Sequence, residues 1–499
     1  MLEGIQLGLN TAFSWQNILY LLTGCIAGTF IGLLPGLGPM TAIALMIPIA
    51  ASLEPSSGII MMAAVYYGAI FGGSTSAILI NAPGVASTVA TSFDGYPMAK
   101  KGLAGKALTV AALASFTGGI IAAALLLISG PTLAELSLSF QSSDYFALMI
   151  FALVCIAAFT TQSSFIKALL MALVGLMLST VGTDQTQGVP RFTFGHTDLL
   201  DGISFLLVVM ATFALSEALL NIMKKSPANP NTDRISEMRI SQAELKDVAL
   251  PVTRSSFLGF FVGLLPGTGA TIASLLAYGG EQRVAKTRAE FGTGSIRGLA
   301  APEAANNAAA TGSFVPMLSL GIPGSGTTAI MLGALIAYGV QPGPMLYVAE
   351  PEIFWSVIVS MWLGNIVLLM LNLPLIPYIA RLLLLPQHIL MPLVLFFSLI
   401  GVYMVSFNAF DLRLMVLFAA SAVILRILTF PMAPLILGFI LGGMIEENLA
   451  RALLIHDGSW SFLWERPITL VLCLLTLLAL LVPVMKGRGT PSSTRKRLN

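Results

Sequence analysis

Charge is what this chain has least of: of 499 residues, only 10% are Asp, Glu, Lys or Arg, against 56% that are hydrophobic. Soluble domains carry about a quarter charged residues, so a water-soluble globular protein is excluded. The few charges nearly cancel, 25 basic against 23 acidic, and give no reason to expect nucleic acid as a partner. Cysteine is scarce too. Cys25, Cys155 and Cys473 lie in apolar runs without metal-ligand spacing and read as small core residues. The histidines His196, His388 and His456 are isolated and form no HExxH motif. A Walker A loop and a GxSxG elbow are both missing; GLAGKAL (102–108) lacks the hydroxyl after Lys106 and the glycine spacing of a phosphate loop. No nucleophile with a base and no metal cluster is legible, so neither an enzyme, an ATPase, a cofactor nor a resident metal is expected. The first fifteen residues lack a basic n-region and no small-residue cleavage site precedes the first apolar run, so a removed signal peptide is not expected.

Apolar runs are abundant instead. They recur at 106–129, 145–160, 202–223, 353–378 and 467–485, among others, and the longer ones reach the roughly 20 residues that cross a bilayer as helix. An all-α polytopic membrane protein with about a dozen transmembrane helices is expected. Lys and Arg accumulate on the cytoplasmic side of membrane proteins. That places inside the segments with Lys100, Lys101 and Lys106, with Lys224 through Arg254, with Arg283, Lys286, Arg288 and Arg297, and with the RKR tail at 495–497. The acidic loops near Glu54, near Glu135 and Asp144, and near Glu350 and Glu352 face out.

One pentapeptide occurs twice. GLLPG ends at Gly36 and again at Gly267, an offset of 231 positions. Two further stretches pair collinearly, GGSTSAIL (72–79) with GSGTTAIM (324–331) and YPMAK (96–100) with GPMLY (343–347). The chain then divides into an N-terminal repeat 1–223, a polar cytoplasmic linker 224–253, a C-terminal repeat 254–485 and a basic cytoplasmic tail 486–499. Loops in equivalent positions carry opposite charge, acidic at 54–57 but basic at 283–297, so the halves lie inverted across the membrane, as in many secondary transporters. A Pro-Gly break frees backbone groups that are tolerated at membrane depth only against protein or a water-filled cavity. Two such breaks would build discontinuous or re-entrant segments around one site near the midplane. The competing reading of a single copy is helix packing, since Gly24, Gly28, Gly32 and Gly36 recur every four residues.

The substrate-site residues proposed from this pattern are Pro35, Gly36 and Gly38 in the first break, Pro266, Gly267, Thr268 and Gly269 in the second, and the polar clusters Ser74, Thr75, Ser76 and Asn81, and Gly324, Ser325, Thr327 and Thr328. Both clusters are read as lying directly before an apolar helix, where free N–H groups and a positive dipole end suit a carboxylate without a buried Arg. Their oxygens equally suit Na⁺, and simple N-capping by Ser74 or Ser325 accounts for one hydroxyl each. The segment LAAPEAANNAAATGSF (299–314) places Glu303 on one helix face with Asn306 and Asn307. A carboxylate inside a span costs about 3 kcal/mol or more unless paired. Glu303, Asn306 and Asn307 are therefore candidates for the coupling cation or proton; the alternative for Glu303 is a structural acid near the cytoplasmic interface, paired with Arg297.

Taken together, GLLPGLGPMTAIALMIP, GGSTSAILINAPG, FDGYPMAKKGLAGKAL, GLLPGTGATIASLLAYGGEQ and APEAANNAAATGSFVPMLSLGIPGSGTTAIM resemble the large membrane subunit of the tripartite tricarboxylate transporters, the TctA family, over roughly residues 15–485. The resemblance implies the translocating subunit of a bacterial inner-membrane uptake system. It implies a small four-helix membrane subunit and a periplasmic solute-binding protein as partners, organic carboxylates such as citrate as substrates, and Na⁺ or H⁺ as the coupling ion. A passive anion channel or a stand-alone carboxylate carrier is the other class compatible with the residues.

Overall fold

The computed structural model describes residues 1–160, 164–184, 188–223, 238–375, 378 and 387–487. Its helices in chain order are α1 (Leu2–Ala12), α2 (Trp15–Leu33), α3 (Pro39–Ala50), α4 (Pro55–Ile80), α5 (Val89–Lys100), α6 (Ala104–Ser137), α7 (Ser142–Phe159), α8 (Phe165–Ser179), α9 (Phe205–Val209), α10 (Ser216–Met223), α11 (Gln242–Gly263), α12 (Gly269–Val284), α13 (Ile296–Gly312), α14 (Phe314–Leu320), α15 (Gly326–Ala337), α16 (Pro344–Ala349), α17 (Pro351–Asn372), α18 (Gln387–Ser406), α19 (Ala409–Ile427), α20 (Met432–Ile455), α21 (Phe462–Glu465) and α22 (Pro467–Gly487). A π-helical stretch, Met210–Leu215, joins α9 to α10. A two-residue ribbon pairs Gly182–Thr183 with Pro190–Arg191, antiparallel.

Among the described residues, seven helical stretches are long and apolar enough to cross a membrane: α2, α4, α6, α7, the rod from Phe205 to Met223, α17 and α20. The chain is thus a polytopic helical membrane protein. The expected dozen counts apolar runs, and several of those fold into shorter helices such as α3, α8 and α15. Residues 224–237 of the expected linker and 488–499 of the expected tail lie outside the described residues, and residues from Gln242 onward already belong to α11.

Pro35 and Pro266 each end a helix at the tip of a hairpin. The α2 backbone turns at Leu34–Gly38 into α3, and the α11 backbone turns at Leu264–Thr268 into α12. Gly36 (φ 90°) and Gly267 (φ 82°) take left-handed conformations there, which any other L-residue adopts only with strain. The packing reading of the flanking glycines holds as well. A Cβ on Gly24 would come within 2.5 Å of the Met61 carbonyl, and one on Gly68 within 2.6 Å of the Cys25 carbonyl, so α2 and α4 interlock backbone to backbone. Gly259 and Gly263 seat α11 in the same manner on Ala305 and Ala309 of α13.

Each hairpin is followed by a long helical run and a second break. α4 ends at Asn81, in the left-handed region at φ 51°, before Pro83-Gly84; α14 ends at Gly321, φ 70°, before Pro323-Gly324. A twelve-residue helix comes next in both cases, α5 and α15. The hairpin tip and the break are then joined by one backbone hydrogen bond, Gly38 N–H to the Gly84 carbonyl at 3.3 Å and Gly267 N–H to the Gly324 carbonyl at 3.0 Å. This geometry corrects two pairings made on sequence. Ser74, Thr75 and Ser76 lie inside α4, upstream of its break, whereas Ser325, Thr327 and Thr328 lie downstream of theirs. Likewise Pro97 sits within α5 while Pro344 opens α16. The helix runs on through both: the Thr75 hydroxyl turns back onto the Phe71 carbonyl at 3.5 Å, the usual way such a residue is held mid-helix, while Ser74 Oγ lies 3.2 Å from the Ile70 carbonyl and closer, at 2.8 Å, to a carboxyl oxygen of Glu303.

Candidate substrate cavity and buried carboxylate

Between the two hairpin tips lies a cavity of about 730 Å³. Gly36 and Gly38 of the first tip, Gly267, Thr268 and Gly269 of the second, and Ser325 and Thr327 beyond the second break all line it. These seven of the expected site residues come together. Pro35, Pro266 and Gly324 belong to the same tips and break but do not face the cavity, and Asn81 is exposed at the C-cap of α4. Thr328 is taken up by a capping box: its hydroxyl accepts the Ser325 N–H at 2.9 Å while Ser325 Oγ accepts the Thr328 N–H at 3.2 Å.

Several helices begin at the cavity wall. Pro39, Met40 and Thr41 open α3; Gly269, Ala270 and Thr271 open α12; Gly326 and Thr327 open α15; Met432, Ala433 and Pro434 open α20. The first-turn N–H groups of a helix have no intrahelical acceptor, and each helix carries roughly half a positive charge at that end. Helix N-termini from both parts of the chain thus meet at this cavity, an arrangement whose chemistry suits an anion. The expected N-terminus at Ser74–Ser76 does not contribute, because those residues are in the last third of α4.

Sequence reasoning missed the charged pair in the wall. Arg426, in the last turn of α19, forms an ion pair with Glu217 of α10 and donates from Nη2 to the Thr212 carbonyl at 2.9 Å. Among the described lining residues these two are the only charged ones. Both interrupt apolar runs, in FALSEALL (213–220) and AVILRIL (422–428), and an intramembrane ionisable residue is by default a functional candidate, so the signal was there to find.

Glu303 is elsewhere. It is wholly buried in α13, where its Oε2 accepts from Ser74 Oγ at 2.8 Å and from Ser115 Oγ at 2.7 Å, and its Oε1 accepts from the Thr91 hydroxyl. The three hydroxyls come from α4, α6 and α5. The expected alternative partner, Arg297, pairs instead with Asp247, Nε to Oδ1 at 3.0 Å. Asn307 donates from Nδ2 to the Glu303 carbonyl at 3.1 Å, and its Oδ1 and both polar atoms of Asn306 are buried without a protein partner. The acid and its neighbouring amides thus form a polar cluster that does not touch the cavity wall. No group of three or more His, Cys, Asp or Glu able to hold a metal occurs among the described residues.

A second acid joins the two parts of the chain outside the apolar helices. Asp94 of α5 is fully buried, and its Oδ1 accepts three backbone N–H groups, from Gly292 (2.9 Å), Gly294 (2.8 Å) and Ser295 (2.8 Å).

Residues 18–437 match the model of the tripartite tricarboxylate transporter TctA family. A protein of Agrobacterium vitis described as an uncharacterized 52.8 kDa protein in the TAR-I ttuC' 3' region is 39% identical over 497 residues, covering 100% of this chain and 98% of that protein. Another from the same organism, described as an uncharacterized protein in the TAR-II ttuC' 3' region, is 40% identical over 239 residues, 48% of this chain and 97% of its own length. No solved structure matches.

Proposed function

The chain belongs to the tripartite tricarboxylate transporter TctA family, and from that membership we propose that it is the translocating subunit of a binding-protein-dependent secondary transporter. It imports tricarboxylates or related organic carboxylates by cation symport across the bacterial inner membrane. The observation that carries this reading is the cavity into which α3, α12, α15 and α20 all direct their N-termini. A carboxylate is held there by backbone N–H groups and by the hydroxyls of Ser325 and Thr327, at sites that cannot titrate and cannot be left as unpaired charge when the cargo leaves.

The matched order of hairpin, long helix, Pro-Gly break and twelve-residue helix supports two inverted repeats. The loop charges supply the sense of the inversion: the first hairpin enters from the side of the acidic loops, the second from the side of the basic ones. Transport by alternating access follows if the tips and breaks move with their short helices against a scaffold that includes α2 and α4. Glu303, with Ser74, Thr91, Ser115, Asn306 and Asn307 around it, is assigned to the coupling ion, Na⁺ or H⁺. Its cage spans α4, α5, α6 and α13, so occupancy there is transmitted to helices that frame the cavity. The small four-helix membrane subunit and the periplasmic solute-binding protein are the proposed partners.

The test is uptake of labelled carboxylates, citrate first, into vesicles carrying this chain and its small subunit under an imposed Na⁺ or H⁺ gradient, with and without the periplasmic protein. Uptake that needs the protein and one gradient supports the symporter and identifies its ion. Uptake indifferent to both identifies a channel or a stand-alone carrier.

A further inference from the structure

The simplest account of the Arg426–Glu217 pair is a strut between α19 and α10. That account leaves three observations aside. A buried ion pair rarely stabilises a fold better than apolar residues of the same shape; this pair sits in the wall of the 730 Å³ cavity; and the guanidinium is not saturated, since Nε is buried with no acceptor while Nη1 and Nη2 hold Glu217 and the Thr212 carbonyl.

We propose that Arg426 receives a carboxylate of the transported anion and that Glu217 is the resting counter-ion which the anion displaces. This rests on the reading of the cavity as a carboxylate site and adds the residue that selects for it. The guanidinium is held ready for the task. Its Nη2 is fixed by a carbonyl of the π-helical stretch, its Cζ lies 5.7 Å from the Phe213 ring centroid, and the turn that follows is pinned by Lys167, whose Nζ donates to the Leu428 carbonyl at 2.6 Å and to Thr429 Oγ1 at 2.8 Å. A planar fork of donors matches a carboxylate in a way that helix N-termini alone do not. With the cavity empty, Glu217 keeps the arginine paired. On binding, one carboxylate replaces another, so the cation is never left bare. In the paired state Glu217 already lies against the first hairpin tip, where a Cβ built on Gly36 would be 3.4 Å from its Oε1 and 3.3 Å from the Asn221 amide, so its displacement is a change at that tip. Arrival of the anion is thereby felt at the tip.

The experiment is calorimetric binding of citrate, malate, succinate and benzoate to the purified full chain in detergent, for the parent protein and for Arg426→Gln, Arg426→Lys and Glu217→Gln. Loss of the cation should weaken the best ligand about 30-fold or more, and Arg426→Lys should fall in between because it keeps the charge without the fork. Glu217→Gln removes the competitor and should tighten binding at least threefold. Binding by the parent protein that is unchanged within twofold in Arg426→Gln overturns the inference and leaves the carboxylate cavity standing. No binding of any carboxylate by the parent protein overturns both. Should Arg426→Gln fail to fold, Glu217→Gln decides alone: equal or weaker binding than the parent defeats the counter-ion role.

Discussion

Ser115 donates its hydroxyl to Glu303 Oε2 at 2.7 Å across the contact between α6 and α13. A second hydroxyl, from Ser74, reaches the same oxygen at 2.8 Å, and with Thr91 on Oε1 the carboxyl group has three neutral hydroxyls as its side-chain partners among the described residues. A buried hydrogen bond contributes about 0.5–1.5 kcal/mol net. Changing Ser74 and Ser115 together to Ala should lower the melting temperature in detergent by several degrees. Glu303→Gln, which fills the same volume, should fold but lose at least tenfold in ion-driven uptake, and full uptake by that variant would remove Glu303 from the coupling site.

The backbone-to-backbone contact of α2 with α4 leaves no room at Gly28, where an added Cβ would collide with the Val65 carbonyl. Overpacking typically costs about 1–3 kcal/mol and more where backbone must move. Gly28→Val is expected to give little monodisperse protein on size exclusion, whereas Gly279→Ala, at a position with open space, should behave as the parent does.

Asp94 holds the segment from Gly292 to Ser295 through three N–H donors on a single oxygen. Asp94→Ala leaves those donors without their acceptor, at about 1–3 kcal/mol for each that stays buried. Trypsin should then cut at Lys286 or Arg288 several times faster than in the parent protein; an unchanged digestion rate would show that the loop is held by something else.

Glu244 lies in the first turn of α11, and its carboxyl is pushed down to about 2 from 4.5, first by the hydrogen bond from Lys106 at 2.7 Å and then by the Ser241 backbone and hydroxyl. A lowered folded-state value means stability that is fully present above the unfolded value and lost as pH falls toward the folded one. Melting temperature should therefore decline between pH 4.5 and 2, and Glu244→Gln should be less stable than the parent near neutrality, with the difference closing across that window. A constant difference down to the acid end would refute the pairing.

The two Pro-Gly tips were legible because the residues that end a helix, proline and a glycine at positive φ, act locally and can be read without knowing the partner. The Ser74–Ser76 cluster was misread for the opposite reason. Hydroxyls that fold back on the preceding turn leave a helix intact, and nothing local distinguishes them from hydroxyls that start one. Glu303 stands out in sequence as an acid in an apolar stretch and is buried, but its donors lie on three other helices, and Arg297 was the wrong partner because proximity in sequence said nothing about the competing Asp247. Arg426 and Glu217 are 209 positions apart, and only folding brings them to one wall.

If the cavity holds its anion on helix N-termini, as proposed, the use of main-chain N–H groups has an evolutionary consequence. Those donors belong to every residue except proline, so most substitutions around the cavity leave the anion-holding hardware in place. On that reading neutral drift can be extensive there without loss of the site, and a lineage that adapts to a new cargo works through side chains of the wall, Arg426 foremost.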